Sequence, residues 1–383
     1  MTTASALVPL WNRAVEWQRR LAMIRTARAF LYLSTYYIEY DEYGMELLEA
    51  LVVATRRGVA VNLLLDGFGQ RLGGVLMSPK GKAALASRLD ELRQLGATVT
   101  VYGPDAYLQR ALGGGQHVKI QVSDAGEAIF GSSNITRSSF EGWNEYSVAL
   151  RGPVVRMLLE SYRGIGGSVA DAHLAALDPA DDRAASTIAL DYWFCNPNLH
   201  QGAFGPIGWR GPNVVTDRLV EMLDAARESV WISSFYFKPV EPLVAALVRA
   251  ADRGVAVEVH HSHRDALPAT ELAWLAAAVG YDRLLAAGVR VSENRHGEHS
   301  KIMVVDRNWA AFGSYNFEDA AHDRLAEAMF ASRDVRAVAP AVEIFDQLRQ
   351  HADNVLVTRD SLRRLSGRLK FKLALLGRFK RWM

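Results

Sequence analysis

The chain carries one set of reactive residues twice, at one set of spacings. His117, Lys119, Asp124, Gly131, Ser132, Asn134 and Glu145 in the first half are matched by His299, Lys301, Asp306, Gly313, Ser314, Asn316 and Glu327 in the second. Counted from each histidine, the offsets are +2, +7, +14, +15, +17 and +28 in both halves. The surrounding sequence repeats in the same order. Arg-Gly-Val-Ala-Val stands at 57–61 and again at 253–257, each time after an amphipathic helical stretch (Gly44 to Arg57; Val240 to Arg253). Phe30–Ile38 matches Ser229–Phe237 in aromatic and β-branched character, and Leu95–Val101 matches Ala287–Val291. A chain of this kind folds as two copies of one unit.

Each copy reads strand, helix, strand, helix, strand, then a cluster of short strands carrying the motif. Helices alternating with strands predict a mostly parallel sheet covered on both faces, with the last strands, at 117–150 and 299–333, free to run antiparallel. One Asp-Pro, one Asn-Pro and two Gly-Pro breakers predict an irregular joint over 178–213. The resulting division is an N-terminal extension (1–23), a first lobe (24–177), the joint (178–213), a second lobe (214–358) and a C-terminal segment (359–383).

Residues two apart on a strand share a face, so the histidine and lysine of each motif point the same way. Gly-Ser-x-Asn closes another short strand, where glycine admits close backbone approach and two polar groups can meet a ligand. Imidazole, ammonium, hydroxyl and carboxamide together suit a tetrahedral anion, most simply a phosphate. Asp124 and Asp306 read as turn-formers or as partners orienting the lysine. Glu145 and Glu327 read as hydrogen-bond partners of a catalytic histidine, since such a carboxylate fixes the tautomer and raises basicity. His260-His261-Ser262-His263 could suggest metal ligation, yet it aligns with Leu64–Gly67 at the end of a strand. It reads as structural or as part of the site rim.

The paired HxK(x)4D…GSxN…E pattern resembles that of the phospholipase D superfamily, over nearly the whole chain. Ser34–Gly44, Asn62–Gly69 and Asn196-Pro-Asn198 look like its bacterial cardiolipin synthase branch. The resemblance implies two α/β/α sandwich lobes related by a pseudo-two-fold axis, with both motifs in one shared active site. It also implies a two-step phosphatidyl transfer through a covalent phosphohistidine. In that reading His117 is the nucleophile and His299 the general acid and base. Lys119, Lys301, Asn134 and Asn316 hold the non-bridging oxygens, with Ser132 and Ser314 in support. Two lysines supply the charge that a metal supplies elsewhere, so neither metal nor other cofactor is expected.

Charge distribution bears on the substrate. Residues 359–383 hold nine basic side chains and one acid, whereas residues 1–358 sum to −6. Leu362, Leu365, Leu369, Leu373, Leu376, Phe379 and Met383 recur at helical spacing among those basic residues. That pattern predicts a basic amphipathic helix, interrupted at Gly367 or Gly377, suited to an anionic phospholipid surface. An acidic body argues against a nuclease, whose affinity rests on neutralising phosphates, so no nucleic-acid partner is expected. No apolar run approaches the ~18 residues of a membrane span, and the single cysteine, Cys195, fits a reducing compartment. The expectation is a cytoplasmic enzyme held peripherally on the inner face of the membrane. Its expected reaction is cardiolipin synthesis from two phosphatidylglycerol molecules, with phospholipid hydrolysis or phosphodiester cleavage as the alternatives.

Overall fold

The computed structural model describes residues 1–75, 77–177, 187–199, 211–267 and 271–376. Two sheets dominate it, and they have the same strand order. In the first sheet the order is Ala6–Leu10, Ser147–Arg151, Glu127–Gly131, Lys119–Ser123, Phe30–Thr35, Ala60–Asp66 and Thr98–Tyr102. In the second, Ile188–Cys195, Leu325–Ser332, Trp309–Gly313, Ile302–Val305, Ser229–Ser234, Ala256–Ser262 and Arg290–Asn294 take the corresponding places. Thr2–Ala4 and Asn354–Leu356 extend the second sheet at its two edges.

The sheets are mixed rather than mostly parallel. Phe30–Thr35, Ala60–Asp66 and Thr98–Tyr102 run parallel, as their intervening helices Glu42–Arg56 and Pro79–Gln94 require. The motif strands that follow pair antiparallel. Short connections such as the turn between Ser123 and Glu127 allow only that direction. Asp124 builds this junction: its carboxylate accepts the backbone N–H groups of Arg28 and Ala29. Asp306 does the same for Arg227, Glu228 and Ser229. Both aspartates thus tie the start of the first parallel strand to the end of the HxK strand, and neither touches a lysine.

Burial explains how the lobes join. Leu47, Leu48, Leu51 and Leu92 pack beneath the outer face of the first sheet, and Leu219, Leu223, Leu243 and Leu247 do so in the second. The two inner faces share one apolar cluster, which takes Phe130 and Tyr146 from one sheet and Phe312 and Phe330 from the other. Helices Pro153–Gly164 and Val335–Arg349 lie in this middle layer, each touching strands of both sheets. The lobes are therefore halves of one core.

Two stretches differ from the sequence expectation. Residues 1–23 are not an appendage: Thr2–Ala4 joins the second sheet and Ala6–Leu10 the first, so the N-terminus staples the lobes together. The joint is not irregular throughout, because Ile188–Cys195 is a strand paired with Leu325–Ser332. Its buried residues Ile188, Leu190, Trp193 and Cys195 supply the packing. Residues 178–186 and 200–210 of the joint lie outside the described residues.

The C-terminal segment forms two short helices, Arg359–Arg363 and Gly367–Leu376. Leu362, Leu365, Leu369 and Leu373 pack against the second lobe, so the apolar stripe faces the body and Arg359, Arg363, Arg364, Arg368 and Lys370 face outward. Residues 377–383, with Phe379 and Met383, lie outside the described residues. Among the described residues no helix is long and apolar enough to cross a membrane.

Candidate active site

The site lies where each HxK strand meets the other lobe. Gly115–Gln116 pairs in parallel with Leu325–Ala326, and the His117 N–H donates to the Ala326 carbonyl at 2.8 Å. In the second half the His299 N–H donates to the Asn144 carbonyl at 2.8 Å, and Asn144 N–H donates back to Gly297 at 2.9 Å. The next residue after each acceptor is a motif glutamate. Docking therefore sets each histidine against the carboxylate of the opposite half: His117 Nδ1 lies 2.9 Å from Glu327 Oε1, and His299 Nδ1 lies 2.7 Å from Glu145 Oε2. With Nδ1 engaged, Nε2 of each ring is left for a ligand. Both histidines line a single cavity of about 700 Å³.

The rest of the motif supports this pairing. The Ser132 hydroxyl donates to Glu145 and accepts the Tyr146 N–H at 2.9 Å. Ser314 donates to Glu327 and accepts the Ala328 N–H at 3.0 Å. Each serine thus positions a glutamate and stands one step behind the histidine. Gly131 and Gly313 precede these serines for a steric reason. A Cβ at Gly131 would overlap the backbone of Tyr146 and Ser147, and one at Gly313 the backbone of Ala328.

Lys119 and Lys301 are both 1% exposed, and each ammonium donates to the carbonyl of its own motif histidine, at 2.7 Å and 2.5 Å. Asn134 and Asn316 line the cavity, and the buried Oδ1 of each has no hydrogen-bond partner among the described residues. Buried polar atoms are rarely left so, and a bound polar group would satisfy these.

Electrostatics separate the two halves. Burial, then the charges of Lys119 and Lys301, holds His117 well below the usual imidazole range. Burial lowers His299 to about 4, against the opposing pull of Glu145. Burial pushes Glu145 up, but His299, Lys301 and the Ser132 hydrogen bond outweigh it and bring the carboxyl to about 2. Glu327 goes the other way, raised by burial to about 8. Burial also takes Lys301 down to about 8 and Lys119 well below its ordinary value. Two ammonium groups held at that cost are better solvated once an anion lies between them.

Several residues of the site were not singled out from sequence. Tyr36 meets His117 edge-on at 4.7 Å and Phe235 meets His299 likewise at 4.5 Å. The Lys119 and Lys301 ammoniums sit 5.5 and 5.9 Å from the same two rings. Both aromatics fall at one position of the matched strands, which was the available signal. Trp143, stacked on His299 at 5.0 Å, has no aromatic counterpart, since the same offset gives Leu325. The repeat could not reveal it.

The histidine cluster at the end of strand Ala256–Ser262 is engaged within the protein through His261 and His263. His261 Nε2 bonds the Tyr281 hydroxyl at 2.7 Å, and that hydroxyl also reaches Glu293. His263 Nδ1 accepts the Asp265 N–H. Among the described residues no group of three or more His, Cys, Asp or Glu side chains is placed to hold a metal.

Comparison with known proteins agrees with this architecture. The family model described as "Cardiolipin synthase, PLD-like domain" matches residues 21–162 and 219–349. A cardiolipin synthase of Geobacillus kaustophilus is 26% identical over 333 residues, covering 83% of this chain and 61% of its own length. Cardiolipin synthase A of Pseudomonas aeruginosa is 27% identical over 344 residues, covering 85% of this chain and 63% of its own. The chain therefore spans under two thirds of either relative. Among solved structures, a phosphatidylserine synthase of Haemophilus influenzae superposes with a TM-score of 0.74 at 14% identity, covering 100% of this chain and 95% of that one. A polyphosphate kinase of Porphyromonas gingivalis superposes with a TM-score of 0.52 at 12% identity, covering 90% of this chain and 49% of that one. The two matched segments carry one histidine-lysine motif each and cover most of the sequence, and the chain belongs to the phospholipase D-like domain family of the cardiolipin synthases.

Proposed function

We propose that this protein transfers a phosphatidyl group through a covalent phosphohistidine, making cardiolipin from two phosphatidylglycerol molecules with release of glycerol. The observation that carries the reading is the pair of crossed histidine–glutamate contacts facing one cavity. The names of the two sequence relatives, both cardiolipin synthases, supply the substrate class. The cavity walls suit a lipid, since Phe68, Leu72, Leu112, Trp143 and Leu267 line it beside the polar groups.

In this mechanism His117 Nε2 attacks phosphorus while its Nδ1–H is held by Glu327. The bond from phosphorus to the departing glycerol oxygen breaks, and His299 delivers a proton to that oxygen. A glycerol hydroxyl of the second phosphatidylglycerol then loses its proton to His299 and attacks phosphorus, and the His117 nitrogen leaves. Lys119, Lys301, Asn134 and Asn316 hold the non-bridging oxygens. The opposed shifts of the two glutamates favour this order of roles: Glu145, ionised at working pH, stabilises a proton on His299 beside it, while Glu327 does so less for His117. An anionic substrate raises His299 from about 4 toward neutrality, which prepares it as the acid. General acid-base help of this kind contributes ~10²–10⁴-fold. The reaction needs no metal in this reading, the two lysines supplying the positive charge.

The outward basic face of the C-terminal helices then holds the enzyme on an anionic leaflet, at ~1 kcal/mol for each basic residue near the surface. Because Leu362, Leu365, Leu369 and Leu373 are packed on the body, this contact is mainly electrostatic, with Phe371 and Leu375 left exposed beside the basic face. The test is incubation of purified protein with labelled phosphatidylglycerol vesicles, followed by lipid analysis. Cardiolipin and free glycerol are expected in equal amounts. Phosphatidic acid as the sole product would establish hydrolysis instead.

A further inference from the structure

The first-lobe rim of the active-site cavity carries large apolar side chains that the described residues leave exposed. Helix Tyr107–Ala111 presents Tyr107 at 73% exposure and Leu108 at 52%, followed by Leu112 at 38%. Beside it, helix Gly67–Gly74 ends at Val75, which is 65% exposed. The two helices are tied together, since the Arg71 guanidinium lies over the Phe68 ring and donates to the Arg110 carbonyl. Isolated exposed apolar residues are ordinary, but a cluster of them marks a contact surface.

Two features identify what the surface meets. First, it is continuous with the cavity: Phe68, Leu72, Leu112 and Gly113 belong both to these elements and to the cavity wall. Second, its charge is opposite to that of the body. Residues 67–82 and 103–112 contain Arg71, Lys80, Lys82 and Arg110 against the single acid Asp105, and all four basic side chains are exposed. Exposed aromatic and aliphatic residues interleaved with basic ones fit the boundary between head groups and acyl chains of an anionic monolayer.

We propose that this rim, from Gly67 to Val75 and from Tyr107 to Leu112, inserts into an anionic lipid monolayer and lets a phospholipid pass from the membrane into the cavity. The surface is separate from the basic C-terminal helices, which pack on helix Glu271–Val279 of the second lobe. It deepens the lipid reading above and rests on it. Charge on the tail holds the protein near the leaflet, and the rim supplies the apolar contact that seats the cavity mouth.

The test uses the full chain with Tyr107→Ser and Leu108→Ser combined. Both positions are exposed, so thermal unfolding should not change. Two readouts are needed: sedimentation with phosphatidylglycerol vesicles, and turnover of short-chain phosphatidylglycerol below its micellar concentration. The double variant should lose vesicle binding by about tenfold or more, as expected for withdrawing two apolar side chains from the interface. Its turnover of the dispersed substrate should match wild type. Unchanged vesicle binding overturns the rim proposal and leaves the enzymatic reading intact. Wild-type binding that the variant loses, with no turnover of either substrate, supports the rim and overturns the enzymatic reading. A wild-type dimer that the variant converts to monomer assigns the patch to a second copy and overturns the proposal. As a direct check, Leu108→Cys labelled with a polarity-sensitive dye should shift to the blue on vesicle addition. The one native thiol, Cys195, is buried and raised to about 12, so it should not compete for the label. A dye that stays in water contradicts insertion.

Discussion

Replacing Glu327 by glutamine removes the ionisable carboxyl beside His117, which burial raises to about 8, and keeps the shape of the side chain. Glu327 is fully buried, with one oxygen 2.9 Å from His117 Nδ1 and the other accepting the Ser314 hydroxyl. A glutamine carbonyl can still accept from Nδ1–H. Its amide then faces Ser314, whose hydroxyl must turn to the Ala328 carbonyl at 3.2 Å. Hydrogen bonds to charged groups contribute ~1.5–3 kcal/mol and neutral ones ~0.5–1.5. Where the carboxyl is ionised, above about pH 8, the exchange therefore removes about 1–2 kcal/mol from the state in which positive charge grows on His117, or roughly 5- to 30-fold in turnover. Steady-state conversion of labelled phosphatidylglycerol measures this, with thermal unfolding as the check that the fold survives. Ring-nitrogen NMR adds a stricter test of the crossed contacts. Glu327→Gln should move the titration of His117 and leave His299 nearly in place, although Glu327 and His299 belong to the same half. Movement of His299 alone, or turnover within twofold of wild type, would refute the pairing.

Other changes separate chemistry from scaffolding. Lys301→Met should lower turnover by ~10²–10³-fold, the usual cost of one charge-stabilising donor, with little change in melting temperature. Asp306→Ala should do the reverse: three backbone N–H groups lose their acceptor, stability falls by ~1–3 kcal/mol, and turnover of the remaining folded enzyme is kept. Asp306 is also held below its ordinary value, by backbone hydrogen bonds that outweigh the effect of burial. Its contribution is thus complete above the unfolded aspartate value and is lost as pH falls through the lower folded value. His299 acts in a higher window. Its folded value near 4 lies below the unfolded 6.5, so the unfolded chain binds more protons between these limits and stability falls as pH drops from 6.5 to 4. Inorganic phosphate bound between the lysines should raise His299 and draw in a proton over that window. Calorimetry in two buffers of different ionisation enthalpy detects such uptake, and identical heats in both would contradict it.

Much of the fold could be read from the sequence because the chain supplies its own comparison. The matched offsets identified the strands, helices and short motif strands of both halves, and the amphipathic runs placed Glu42–Arg56 and Glu241–Asp252 to within two residues. The sequence could not show which half each glutamate serves. That depends on the docking of residues 115–117 onto 324–326 and of 297–299 onto 142–144, contacts between segments more than 150 residues apart. The N-terminal staple was hidden for a related reason: Thr2–Ala4 and Ala6–Leu10 are short edge strands whose pairing is set by the sheets they join. Asp124 and Asp306 recur with the motif histidines and lysines because the duplicated backbone needs them. Repetition alone does not separate scaffold from chemistry. Trp143 shows the converse, a cavity residue made invisible by having no counterpart.

In the proposed reaction two histidines from the two halves form one site that passes through one phosphohistidine. Its most direct test is a single-turnover reaction of the wild-type protein with phosphorus-labelled phosphatidylglycerol, quenched in alkali and mapped by peptide mass spectrometry. At most one phosphoryl group per chain is expected, carried on His117, and none in the His117→Ala protein. Two groups per chain, or a label on a residue outside both motifs, would contradict it.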